Sequence, residues 1–405
     1  MFGDTPVAQD AFSRFMADMF DDKQIIGVST AFQAFFGNAG NGAQTVFSPD
    51  ANTIDIDIIR GNEKIAALIP RGTISRPLGG KQKNLNVEKY TSFARKFPLS
   101  EEEGDITADQ LVYRMAGEGP TARRTRLDRM RSLALKLHLE SIRRSVRMFE
   151  VLAAQSVIEG KQDAIIGTTN PDLQYDFRRN AAHTISVPIA WDQATAVILT
   201  NIDAACDLSR QNGKITPDFI GMGGSAVDLF IKDDVVQAQA DNRRFELIEV
   251  STGNPVPERF NRFVEGGWTA RGRLRTPKGY ELWIFTNVDG YENDAGAFIP
   301  HMPIDKAFVA SSRSRNDRYF GPPETLPMIP QRVQLYQELF GFDPGMAPMP
   351  PNVDAAAGVI NPAMFYADAY VSGDWKKVSV RTQSAPIFAT THTDSFVVLE
   401  DLVTP

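Results

Sequence analysis

Between Thr121 and Glu159 the chain carries neither glycine nor proline, and its apolar residues recur at Leu127, Met130, Leu133, Leu137, Ile142, Phe149, Leu152 and Val157. That spacing is helical, and Gly160 follows where a C-terminal cap belongs. The run predicts a single helix of about 39 residues, nearly 60 Å long at a rise of about 1.5 Å per residue. Helices of globular domains average about a third of that length. Such a helix must span a large part of the molecule, and the other elements have to be arranged along it.

The rest of the 405-residue chain has the composition of an ordinary globular protein, with a prior of two to three domains. Hydrophobic residues are 42% and charged residues 23%, and 43 Lys+Arg against 50 Asp+Glu leave a net charge of -7. A dedicated nucleic-acid binder would carry a basic excess instead. One cysteine, Cys206, and four scattered histidines exclude a disulfide scaffold and any zinc-ligand spacing. Asp4, Asp10 and Asp18 stand where a signal peptide would be basic, and apolar runs such as Ile65 to Ile69 are far too short to span a membrane. The expected setting is therefore cytosol-like, without a membrane partner.

Residues 5–20 place Phe12, Phe15, Met16, Met19 and Phe20 on a helical period after Thr5-Pro6. The stretch 34–42, broken by Gly37, Gly40 and Gly42, reads as an extended arm with Phe32, Phe35 and Phe36 exposed and in need of a surface to lie against. From 45 to 98 the pattern is a long hairpin: Ile54, Ile56 and Ile58 alternate with Asp55 and Asp57, a mobile middle runs from Arg71 to Asn84, and a second strand-like run spans Leu85 to Phe97. An apolar two-stranded hairpin is marginal alone, which implies packing on another part of the molecule or on another molecule. Glu101 to Glu103 fit a charged helix start, and Thr107 with Gln110 fits a capping box for a short helix ending near Gly117. The middle, 190–340, reads as α+β: a helix over 192–211 closed by Gly213, a strand over 217–222, a helix from Ser225, and strands at 268–274, 280–288 and 306–311. Prolines make 343–351 a loop, and short strands at 363–374, 377–383, 386–390 and 396–399 end the chain.

Few residues are arranged for chemistry. Gly221-Met-Gly223-Gly-Ser-Ala226 fits GxGxxA between a strand and a helix, with Asp241 about 20 residues on as a ribose ligand. No second crossover helix follows, which favours a tight strand-to-helix turn. Arg123, Arg124, Arg126, Arg129, Arg131, Lys136, Arg143, Arg144 and Arg147 make the long helix basic, but Asp128, Glu140 and Glu150 interrupt them. Ion pairing within and between subunits is the expected use. Asp55 and Asp57 read as the solvated face of a strand, Cys206 as a small core residue, and His138 as a packing histidine. An aromatic arm, an apolar hairpin, an overlong helix and a compact α+β domain together describe a subunit stabilised by wrapping over its neighbours.

These features, in this order, resemble the lambda-like major capsid proteins of tailed bacteriophages, the phage major capsid protein E family, with its α+β Hong Kong 97 fold. Phe35-Phe36, the hairpin beginning near Ile54, the helix ending Ala154-Gln-Ser-Val-Ile-Glu-Gly-Lys161, Trp191-Asp192, and Gln383-Ser-Ala-Pro386 carry the resemblance. It implies an N-terminal arm over 1–45, an extended loop over 46–100, a peripheral domain with a spine helix over 101–189, an axial domain over 190–345, and a return to the peripheral domain over 346–405. It also implies homo-hexamers and homo-pentamers in an icosahedral head around double-stranded DNA touched only weakly, with scaffold, portal and decoration proteins as partners. The resemblance brings no catalytic residue, cofactor or metal. Two rivals stay open: a nucleotide-binding enzyme built on Gly221 to Ala226, and another virion part such as a portal or tail-tube subunit.

Overall fold

The computed structural model describes residues 28–47, 53–61, 88–96, 100–107, 126–164, 174–241, 245–247, 256–293, 296–321, 366–371 and 377–404. The helix expected over 5–20, the hairpin middle 71–84, the short helix after Thr107 and the proline-rich 343–351 lie outside them.

A seven-stranded sheet organises the molecule. In spatial order it contains β7 (Thr184–Ser186), β19 (Val397–Glu400), β14 (Ala307–Ala310), β8 (Phe219–Met222), β11 (Glu281–Thr286), β10 (Thr269–Arg275) and β9 (Phe245–Leu247). The pairs β8–β11 and β7–β19 are parallel and the rest antiparallel. Its central strands are buried on both faces, and their side chains alternate with period two. Phe219, Trp283, Phe285, Phe308 and Val398 enter one hydrophobic cluster. Their neighbours Ile220, Met222, Leu282, Ile284, Val309 and Leu399 enter another. One face is thus largely aromatic and the other aliphatic. Helices α2 (Ile198–Gly213) and α3 (Gly224–Lys232) cover the aliphatic face through Ile202, Cys206, Ala226 and Phe230. A further helix, α4 (Asp234–Asp241), follows α3.

The long helix α1 (Arg126–Ile158) joins the aromatic cluster through Ile142, Val146, Phe149, Leu152, Ala153 and Val157. Its described length of 33 residues corresponds to about 50 Å. The short helix α5 (Asn261–Gly266) adds Phe263 to the same face. Beside it lie a three-stranded sheet of β1 (Thr45–Phe47), β15 (Asp317–Phe320) and β18 (Pro386–Ala389), and another of β16 (Tyr366–Val371), β17 (Lys377–Ser384) and β4 (Ser100–Thr107). The hairpin pairs β2 (Thr53–Gly61) with β3 (Glu88–Lys96) in antiparallel register, as its alternation implied. Small pairs join β5 (Lys161–Asp163) to β6 (Gln174–Asp176) and β12 (Gly290–Glu292) to β13 (Phe298–Pro300).

Three local expectations are corrected. Glu101 to Glu103 do not start a helix; they lie in β4, opposite Gln383, Thr382 and Arg381 of β17. A ladder eight residues long overrides the local helix signal. Helix α2 begins at Ile198, not Asp192, because the Asp192 carboxylate accepts hydrogen bonds from the Thr404 amide and hydroxyl and so ties down the C-terminal segment. Gly213 is not the left-handed cap either. Lys214 takes that conformation at φ 57°, and Gly213 is needed because a Cβ there would sit 2.5 Å from the Asp394 carbonyl oxygen.

Candidate functional site: glycine turn, arm seat and long helix

The glycine turn runs from the end of β8 into α3, as the motif implied. Two of its amides are already engaged by the chain itself. Gly223 N–H donates to the Lys306 carbonyl at 2.9 Å and Ala226 N–H to the Ile304 carbonyl at 3.0 Å. A Cβ on Gly223 would run into the Pro303 carbonyl, and one on Gly221 into the Phe308 ring. The glycines admit the chain's own 303–306 segment and the aromatic face of the sheet. These close approaches fill the space a pyrophosphate would need, and the dinucleotide reading fails on geometry.

The arm is also differently placed than expected. Phe32, Phe35 and Phe36 are buried, not exposed. Phe35 packs against Phe263, Phe219, Phe396 and Phe308 at centroid distances of 4.7 to 5.8 Å. Phe32 meets Trp268 edge-on at 5.1 Å, and Trp268 Nε1 donates to the Ala31 carbonyl at 2.9 Å. The surface the arm needs is supplied by its own subunit. Its entry turn, Gln33–Phe35, has no capping side chain of its own at Phe32. Glu150 of α1 supplies the cap: Oε1 accepts the Phe32 N–H at 2.6 Å and Oε2 the Gln33 N–H at 3.2 Å. The Gln33 carboxamide donates to the same carboxylate at 3.3 Å and to the Val146 carbonyl at 3.2 Å. Glu150 is completely buried. Burial pushes its carboxyl up to about 8, against the lowering effect of the Phe32 and Gln33 donors, and the nearby Asp289 carboxylate adds to the rise. The sequence held a signal for this residue. Glu150 follows Val146 by four positions and precedes Ala153 by three, which sets it on the buried stripe.

At its other end α1 is closed by Arg179, whose guanidinium donates to the Val157 carbonyl at 2.7 Å and to the Ile158 carbonyl. A cation there satisfies orphan carbonyls and opposes the helix dipole. Burial pulls its pKa down to about 10, while Glu400, Glu159, Asp176 and Asp394 act the other way. Gly160, left-handed at φ 69°, leaves room for that side chain, since a Cβ would approach Arg179 Nε to 2.9 Å. Of the helix arginines, Arg143 and Arg144 lie 3.9 and 3.6 Å from Glu140, all partly exposed, and Arg147 is exposed. Arg123 and Arg124 fall outside the described residues.

In the hairpin, Ile56 is buried with Tyr175, Phe177, Tyr319 and Ile387, so this strand too finds a seat on its own chain. Cys206 is buried in α2, and burial pushes its thiol up. His183 is held between the Phe396 carbonyl and Asn212, and His392 lies 2.7 Å from the Gly213 carbonyl. Among the described residues no group of His, Cys, Asp and Glu is placed to hold a metal ion, and no helix is long and apolar enough to cross a membrane.

A two-faced mixed sheet with a long helix on its aromatic side and a separate two-stranded hairpin defines a capsid subunit of the Hong Kong 97-like fold. The same fold occurs in the capsid protein of an E. coli CFT073 prophage, which is 16% identical, with a TM-score of 0.56 over 92% of this chain and 93% of that one. The capsid of Ralstonia phage GP4 is 10% identical, with a TM-score of 0.44 over 89% and 87%. The sequence profile of phage major capsid protein E matches residues 48–323, and the chain belongs to that family. It is a major capsid protein, a structural component of the phage virion that self-assembles into the capsid shell. No curated protein matches the chain.

Proposed function

We propose that the subunit assembles into hexamers and pentamers that tile an icosahedral head around double-stranded DNA, with assembly in the host cytoplasm. The observation that supports this most is the family match over 48–323, which takes in the hairpin, α1 and most of the central sheet. The proposed division is an arm over 1–45, an extended loop over 46–100, a peripheral domain over 101–189, an axial domain over 190–345 and a return over 346–405. One strand of the return, β19, lies in the sheet of the axial strands. The tip of the extended loop, Arg71 to Asn84, is assigned to contact with an adjacent subunit. Scaffold, portal and decoration proteins are the partners that such a head implies, and no catalytic role is assigned to the chain. Negative-stain microscopy of the protein expressed with phage assembly factors should show closed shells. A monodisperse monomer at every concentration, or open tubes and single rings alone, would contradict the proposal.

A further inference from the structure

We propose that the outward face of the β12–β13 hairpin, with the end of α5 beside it, is a contact surface for a second copy of the chain, which meets it with the arginine row of β10. The inference rests on self-assembly alone, not on hexamers, pentamers or icosahedral tiling. The two apolar elements that the sequence marked for neighbours, the arm and the hairpin strand β2, have seats on their own subunit through Phe32, Phe35, Phe36 and Ile56. Among the described residues, apolar surface for another copy has to come from elsewhere.

Seven large hydrophobic side chains are exposed among the described residues, and three of them gather here: Val288 at 66%, Phe298 at 61% and Val264 at 42%. In the hairpin Gly290 opposes Pro300 and Glu292 opposes Phe298, so these four share a face. The other face carries Tyr291, which stacks on the buried His301 at 5.7 Å, so the Phe298 face turns outward. A Cβ on Gly290 would approach Phe298 Cζ to 2.7 Å; the ring lies across β12 with most of its surface open. Val264 is brought to the hairpin root by Gly267, whose N–H donates to the Val264 carbonyl at 3.1 Å and whose carbonyl accepts from the Asn287 carboxamide at 3.2 Å. Single exposed apolar residues are ordinary, but a group of them rimmed by polar side chains marks an interaction surface.

The rim selects the partner. Glu265 follows Val264, Asp289 follows Val288 and Glu292 stands opposite Phe298; all three are exposed, and none forms an ion pair among the described residues. Like charge disfavours this patch against itself and against nucleic acid. The segment 1–27 joins the described chain beside the site, where the Ser29 hydroxyl donates to the Gly266 carbonyl at 3.2 Å, but its five aspartates against Arg14 and Lys23 have the wrong sign. Cations of the right sign stand on β10. Arg271, Arg273 and Arg275 are exposed at alternate positions, and none has an ion pair among the described residues. Arg143 and Arg144 of α1, by contrast, already lie near Glu140. A contact between two unlike surfaces is heterologous and repeats from copy to copy.

Photo-cross-linking in assembled particles tests this, with p-azidophenylalanine in place of Phe298 and the altered chain co-expressed with an excess of wild type. After irradiation a denaturing gel should show covalent dimers, and peptide mapping should place the link within 268–281 of the second copy. The link reads equally in closed shells, rings or tubes, so it stands or falls apart from the icosahedral reading. Absence of dimers, a link confined to the same chain, a link to another virion protein, or one outside 268–281 of the second copy would overturn the proposal. If that chain does not fold, the same probe at Val288 is read in the same way. Phe298→Ser and Val288→Ser should each raise the protein concentration needed for assembly about tenfold with melting unchanged. Arg271→Glu with Arg273→Glu should do the same, and adding Glu265→Arg with Glu292→Arg should restore part of the loss. Wild-type assembly in these variants, or a melting loss that accounts for the serine variants' defect, would also overturn it.

Discussion

Glu150, completely buried, and Arg179, partly exposed, bracket the second half of the long helix, and they act in opposite ways. Glu150 caps another segment's turn, whereas Arg179 caps the helix itself. Removing Arg179 leaves the Val157 and Ile158 carbonyls without that donor in a buried setting, so Arg179→Ala should lower unfolding free energy by about 2–4 kcal/mol. Urea titration reads the effect, and Arg179→Lys should recover only part of it, because an ammonium lacks the planar fork that spans two carbonyls. An alanine variant as stable as wild type would show that the cap contributes nothing. At this scale the sequence revealed little. Gly160 could be read as a cap from its place after an apolar run, but the arginine that requires its missing Cβ lies 19 positions further on. Glu150 was visible as an interruption of a basic run that falls on the buried stripe of the helix. That it lies beneath Phe32 depends on a contact 118 residues away in sequence.

Elements were legible in proportion to how locally they are determined. The long helix was readable because a glycine-free 3.6-residue period specifies it without outside help, and the central strands because Phe219-Ile-Gly-Met222 and Leu282-Trp-Ile-Phe285 are short apolar runs bounded by turns. The arm was misplaced because Phe32, Phe35 and Phe36 show no period, and their partners Trp268, just before β10, and Phe308 of β14 lie far along the chain. Glu101 to Glu103 were misread for the same reason, since β17 dictates their conformation. The corrected placement makes the arm part of the subunit's own core, and this has a measurable consequence. Phe35→Ala would empty a site ringed by four phenylalanines and should cost about 3–5 kcal/mol. Thermal melting of the unassembled subunit should show the loss directly. A variant with unchanged melting and defective assembly alone would return the arm to an intersubunit role.

For the molecule as a whole, the net charge of -7 suits the proposed wall around double-stranded DNA, which should enclose it without adhering to it. Arg143 and Arg144 are near Glu140 on the exposed side of the helix, where such pairs are weak and salt-sensitive. Isolated capsomers should therefore bind duplex DNA weakly in an anisotropy titration at physiological salt. Tight binding with a steep salt slope, abolished by combined Arg143→Ala, Arg144→Ala and Arg147→Ala, would instead assign this helix to phosphate contact.

The position of β19 also sets a timetable. This strand is laid between β14 and β7, yet it is translated after nearly everything it pairs with. At about 5–20 residues per second, a ribosome that has finished β14 needs on the order of ten seconds to deliver β19. Throughout that interval the nascent chain holds β14 with one edge unpaired and β7 with no neighbour on its β19 side. Subunit completion is thus tied to delivery of β19, so chains whose synthesis has not passed residue 400 cannot join one another as finished building blocks.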